Sequence, residues 1–173
     1  MEPKKILTIL STSASLPEDI ANFGVVGDVM VVNHQITDYI GSIKYAVSLH
    51  RDLLDDWMNQ RKNLSLNTED VVLFQDRHTC PVPLNTSGLL ALWESQQLPY
   101  DEVRVLGLSA DASGHYYDEG QGPFDNFEAR FPFGNEDWIP LLKSWTNIRV
   151  ASGNLLRLYP KITLTKNEEL NNV

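Results

Sequence analysis

At 173 residues, with 42% hydrophobic and 21% charged side chains, the chain has the length and composition of about one globular domain. That length is enough to bury a core without disulfides or metals. A net charge of −9 argues against a protein that holds DNA or RNA by its phosphates, which requires clustered lysine and arginine. No apolar run of about 18 residues is present, so no membrane span is expected.

Lys4 and Lys5 precede only the run Ile6–Leu10, too short for the apolar region of a secretory leader and better read as a strand over Lys5–Leu10. Ser11–Ser15 is a small polar turn, and Pro17, Glu18 and Asp19 open a short helix over Leu16–Phe23. Asp28–Asn33, nearly all valine and methionine, predicts a second strand buried on both faces, and Ile43–Leu49 a third. His50–Lys62 reads as a helix, with Leu53, Leu54, Trp57 and Met58 on its apolar stripe and Asp52, Asp55, Asp56 and Arg61 mostly off it. Val71–Phe74 predicts a fourth strand. The stretch Gln75–Asn85, with Pro81 and Pro83, is a loop. A helix resumes at Thr86, its buried side marked by Leu89, Leu90, Trp93 and Leu98, and Val103–Leu108 is a fifth strand.

Residues 110–135 then form a long loop punctuated by Gly114, Gly120, Gly122, Gly134, Pro123 and Pro132; loops of that length inside compact domains are usually functional or mobile. A helix over Asp137–Trp145 tolerates Pro140 only in its first turn. Ile148–Ala151 and Ile162–Leu164 are the last strand candidates. One domain is expected over residues 1–165, with a frayed tail at 166–173. Short apolar runs alternating with helical stretches predict an α/β fold: a Rossmann-like, mostly parallel sheet with helices on both faces. Cys80 is the only cysteine, which rules out an intramolecular disulfide and suggests a cytoplasmic address.

In such a sheet, ligands bind beyond the carboxyl ends of the strands, and four segments meet that condition. Ser11–Ser15 follows the first strand; it offers hydroxyls but none of the glycines of a Rossmann phosphate loop. Asn33-His34-Gln35 follows the second, where an amide can read a ribose or a base edge or can be purely structural. Asn85-Thr86-Ser87-Gly88 opens a helix, whose free N–H groups and positive dipole end favour an anion, while Gly88 lets a ligand approach; Thr86 or Ser87 would equally serve as an ordinary N-cap. The long loop supplies Asp111, Ser113, His115, Tyr116, Tyr117, Asp118 and Glu119, from which His115 or Asp111 could act as general base. HxxxH, HxH and CxxC spacings are absent, so no metal or cofactor is implied, and His34, His50 and His78 read as structural. Residues 101–138 carry nine acids against two bases, the pattern of a solvated surface loop and one that would repel a phosphate unless screened.

The order and spacing of STSASL after the first strand, GDVMVVNHQ, KYAVSLH, NTSGLLALW and DEVRVLGLSAD resemble bacterial sialyltransferases that use CMP-sialic acid, together with the related motility accessory factors and hydroxymethylpterin pyrophosphokinase-like proteins. The resemblance covers roughly residues 5–112. It implies that Asn33, Thr86, Ser87 and Gly88 contact a nucleotide and that Ser13, Ser15 and Leu16 stand in the first loop. The chain departs from that pattern at Ser11 and Ser13, which replace loop glycines, and at Gly107-Leu108-Ser109, where the expected acid is displaced to Asp111. The insert that carries the catalytic histidine in those enzymes is short here. Two readings follow: a nucleotide- or nucleotide-sugar-binding protein, as a glycosyltransferase with an activated donor, or a non-catalytic interaction protein that keeps the fold without the chemistry.

Overall fold

The computed structural model describes residues 3–75, 80–82, 86–110 and 138–164. Its elements run β1 (Ile6–Leu10), α1 (Leu16–Phe23), β2 (Asp28–Val32), α2 (Gln35–Asp38), β3 (Tyr45–Val47), α3 (Arg51–Asn63), β4 (Val72–Phe74), α4 (Ser87–Ser95), β5 (Glu102–Leu106), α5 (Trp138–Ser144) and β6 (Ile148–Val150), then a 3-10 turn at Asn154–Arg157. The strands form one sheet in the order β4-β3-β2-β1-β5-β6, and every neighbouring pair is parallel. This is the Rossmann-like α/β architecture that the alternating pattern predicts. Among the described residues no helix is long and apolar enough to cross a membrane.

Strand alternation divides the core between the two faces. Leu7, Ile9, Met30, Val32, Val103 and Val105 point to one side, where Leu89–Leu92 of α4, Trp138 and Leu142 of α5 and Leu155 of the 3-10 turn close over them. Leu10, Val29, Val31, Ala46 and Leu106 point to the other, covered by Leu16 of α1, Ile36 of α2 and Leu54 and Trp57 of α3. Strands sandwiched in this way must be apolar on both sides, and Val29–Val32 are all buried as expected. Pro140 falls in the first turn of α5, where it displaces no helical hydrogen bond.

Three expectations change. The chain makes an extra helical turn, α2, immediately after Asn33, whose φ of 54° redirects the backbone out of β2. Ile162–Leu164 is not a strand: pairing is confined to a single parallel bridge between Lys161 and Val150, made by Val150 N donating to Pro160 O at 3.1 Å and Ile162 N to Val150 O at 3.0 Å. In α3 the buried stripe is Leu54, Trp57 and Arg61, whereas Leu53 is exposed. The tail at 166–173 lies outside the described residues.

Thr8 and Glu102 place polar side chains on the α1–α3 face, and both are paired. Thr8 Oγ1 donates to Val26 O at 2.6 Å and accepts from Val26 N, which fixes the entry into β2. Glu102 lies between Arg104 Nε and Lys4 Nζ, each at 2.7 Å. Burial acts to raise the Glu102 carboxyl, but the hydrogen bonds from Lys4 and Arg104 outweigh it and hold the group below the usual range. Hydrogen bonds from Lys44 and Tyr100 do the same for Asp28, against a smaller effect of burial. A carboxylate whose folded pKa is depressed contributes stability that is complete above its unfolded pKa and is lost as the pH falls through the folded value. The melting temperature is therefore expected to fall as the pH drops below about 4.3, the ordinary glutamate value. Glu102→Gln should melt lower at neutral pH and show a shallower acid slope; a parallel slope in melts from pH 7 to pH 3 would exclude this ion triad as a source of acid lability.

Candidate functional site

The sheet reverses its winding between β1 and β5. From β1 the chain proceeds outward to β4, and α4 then carries it back across the other face to β5. In doubly wound sheets the crevice at such a reversal, beyond the carboxyl ends of the strands, is where ligands bind. Here the two exits are Ser11–Ser15 after β1 and Gly107–Ala110 after β5.

Hydrogen bonds join these exits. Ser11 N donates to Leu106 O at 3.0 Å and Ser13 N to Gly107 O at 2.8 Å. Ser13, expected to meet a ligand, uses its Oγ to accept the Ser109 N–H at 3.0 Å. Ser15 donates from its Oγ to Asp19 Oδ2 at 3.1 Å. Asp19 is buried and accepts two further bonds on that oxygen, from Gly107 N and from Ser152 Oγ, both at 2.9 Å. Its carboxylate thus ties α1 to the ends of β5 and β6. Gly107 takes φ of +66°, and a Cβ there would lie 2.7 Å from Leu16 Cβ, so only glycine lets the β5 exit fold under this turn. The sequence signals Asp19 only as an acid in the first turn of a helix; its role at the reversal depends on residues about a hundred positions away.

A second cluster lies beyond β2 and β3. Ser48, fully buried at the end of β3, donates to Asn33 Oδ1 at 2.9 Å and accepts from His50 N at 3.0 Å. Ser87 Oγ accepts the neighbouring Leu49 N–H at 3.0 Å. Asn33 and Ser87, singled out separately, are therefore brought together through Ser48 and Leu49. Ser48 itself is missed by the sequence reading because it continues an apolar strand and looks like part of it.

Thr86 is the N-cap of α4: its Oγ1 accepts from Leu89 N at 3.1 Å. With that donor satisfied and Leu90 N bonded to Thr86 O, the N–H groups of Ser87 and Gly88 find no acceptor among the described residues. Gly88 packs close to the β5 exit, where a Cβ would come 2.6 Å from Leu108 Cδ1. The room that Gly88 leaves is thus occupied by a leucine side chain. His34 packs its ring 5.1 Å from that of Trp57.

Burial pushes the Cys80 thiol above its ordinary value, and the Glu94 carboxylate adds to the shift against a backbone hydrogen bond from Val82. Among the described residues no group of three His, Cys, Asp or Glu side chains is placed to hold a metal. His115 and Asp111, the two candidate bases, lie outside the described residues. Compared with known proteins, the chain matches no family model, no curated protein and no solved structure.

Proposed function

We propose that the protein binds a nucleotide or nucleotide sugar at the carboxyl edge of its sheet, with the phosphate at the start of α4 and the nucleoside toward Asn33. The observation that supports this is the linkage of Asn33, Ser48 and Ser87 beside two N–H groups that find no acceptor among the described residues, at a capped helix start. Free N–H groups and the positive end of a helix dipole attract an anion there, and the aligned amide of Asn33 offers polar contacts to a base or ribose. On this reading group transfer from an activated donor is the activity, with His115 or Asp111 as the base that deprotonates the acceptor.

A non-catalytic interaction protein is the competing reading, and the closed turn at the β1–β5 reversal favours it. Ser13 spends its N–H on Gly107 O, and its hydroxyl oxygen is held by the Ser109 N–H, so the backbone donor that a phosphate loop would supply is already used. Thermal-shift measurements against CMP, CDP, UDP, GDP, ADP and nucleotide sugars separate the two. At a hundredfold excess over its dissociation constant, a ligand of the native state stabilises by about 2.7 kcal/mol, or roughly 5–10 °C for a chain of this size. One nucleotide should produce that shift, and Thr86→Ala and Ser87→Ala should abolish it. If none shifts the melt at millimolar concentration, the nucleotide reading fails and protein partners become the target.

A further inference from the structure

The opposite edge of the sheet, where the strands begin, holds a cavity of about 390 Å³ whose lining includes Lys4, Lys5, Lys44, Asp28, Tyr45 and Tyr100. That size falls within the usual range for small-molecule sites, about 300–1,000 Å³. Its lining brings three lysines and one aspartate together in a chain whose net charge is −9.

Its walls are held in place by their own bonds. Lys44 Nζ sits 2.7 Å from Asp28 Oδ2, and Tyr100 donates its phenol proton to the same oxygen at 2.6 Å. With that proton committed, Tyr45 donates to Tyr100 across 3.1 Å. The two rings stand nearly perpendicular, at 86° with centroids 6.3 Å apart, and form an aromatic corner. Lys44 Nζ lies 5.8 Å from both centroids, so its position is fixed by the rings as well as by Asp28. Lys4 is held by Glu102 at 2.7 Å. Lys5 differs: its backbone N–H bonds Asp101, but its exposed ammonium makes no ion pair among the described residues. The cavity therefore combines fixed apolar and aromatic walls with a rim ammonium, that of Lys5, which forms no ion pair among the described residues.

We propose that this amino-edge cavity is a second binding site, for a small ring-bearing anion whose phosphate or carboxylate pairs with Lys5 while its ring lies in the Tyr45–Tyr100 corner. The five-residue strand β1 separates it from the carboxyl edge by about 17 Å, so the two sites do not share contacts. The proposal is independent of what binds at α4.

Phenyl phosphate is the probe, titrated into the whole protein and followed by amide chemical shifts, with inorganic phosphate and phenol as controls. Phenyl phosphate should move the amides of Lys5, Lys44 and Tyr100 and leave those of Asn33 and Ser87 unmoved. Because Lys5 is exposed and bonds only through its backbone, Lys5→Ala should fold normally and weaken binding about fivefold, an effect that shrinks as salt is raised. Phenol alone should bind more weakly than the phosphate ester. Three results would overturn the proposal: no shifts at about 5 mM ligand, a range that detects even millimolar affinity; unchanged affinity in Lys5→Ala; or inorganic phosphate binding as tightly as phenyl phosphate, which would leave the aromatic corner without a role.

Discussion

Replacing Arg61 with alanine is expected to lower the free energy of unfolding by about 4 kcal/mol, as large an effect as truncating an apolar core residue. Arg61 is fully buried, yet among the described residues no carboxylate pairs with it. Nε donates to Asn67 O at 2.8 Å, Nη1 to Ile36 O at 3.0 Å and Tyr39 O at 2.7 Å, and Nη2 to Gly41 O at 2.6 Å and Asn67 Oδ1 at 2.8 Å. All five N–H donors of the guanidinium are thus used, and each acceptor is a neutral oxygen. Desolvation lowers the Arg61 pKa, but a guanidinium stays charged at any pH at which the protein folds. Alanine would leave these oxygens without a donor and open a cavity among Ile36, Tyr39 and Asn67. Arg61→Lys keeps the charge but not the planar fork, and should recover less than half of the loss. Urea unfolding followed by circular dichroism reads both variants. Equal stability of Arg61→Lys and the parent would show that charge alone, and not the five-way geometry, holds the α2–β3 segment.

Asp19→Ala should cost about 3 kcal/mol: three donors converge on one Asp19 oxygen, and while the Ser15 and Ser152 hydroxyls can turn to other partners, the Gly107 N–H is left buried without an acceptor, at roughly 1–3 kcal/mol. The loss should be local before it is global. The Gly107 amide, left without its acceptor, should exchange with solvent far faster than its neighbours in β5, while the interior of β1 stays protected. Asp19→Asn keeps an acceptor for Gly107 N and should fall about midway between Ala and the parent. Hydrogen exchange by nuclear magnetic resonance distinguishes this account from a simple helix-start effect: if Asp19 acts only on the α1 dipole, exchange would rise in α1 and remain unchanged at Gly107.

The two residues show where sequence reading succeeds and where it stops. β1, β2 and β5 are legible because a strand covered on both faces must be a continuous apolar run, and ILTIL, DVMVV and EVRVL are close to that. In α3 the same logic misplaces the buried stripe. Hydropathy periodicity counts Arg61 as polar and therefore outward, but its partners are carbonyls delivered by residues 36–41 and 67, whose positions no local pattern encodes. Leu53 is correspondingly displaced to the surface. At the site, Asn33, Thr86 and Ser87 are found as strand-end and helix-start residues, since their types are characteristic of such positions. The bridge between them, Ser48, hides inside an apolar run. Asp19 likewise reads as a helix opener, because its partners Gly107 and Ser152 are distant in sequence.

The placement of β1 at the centre of the sheet has a consequence for how the protein is made. Synthesis delivers β1 first, and β2, β3 and β4 can dock on one of its sides as they emerge. Its other side receives a partner only when Glu102–Leu106 leaves the ribosome, roughly 5–20 s later at ordinary elongation rates. During that interval the nascent chain presents an unpaired, mostly apolar strand edge, the kind that recruits neighbouring chains into aggregates. Yield in a producing cell is therefore expected to respond to translation speed and chaperone access over those seconds.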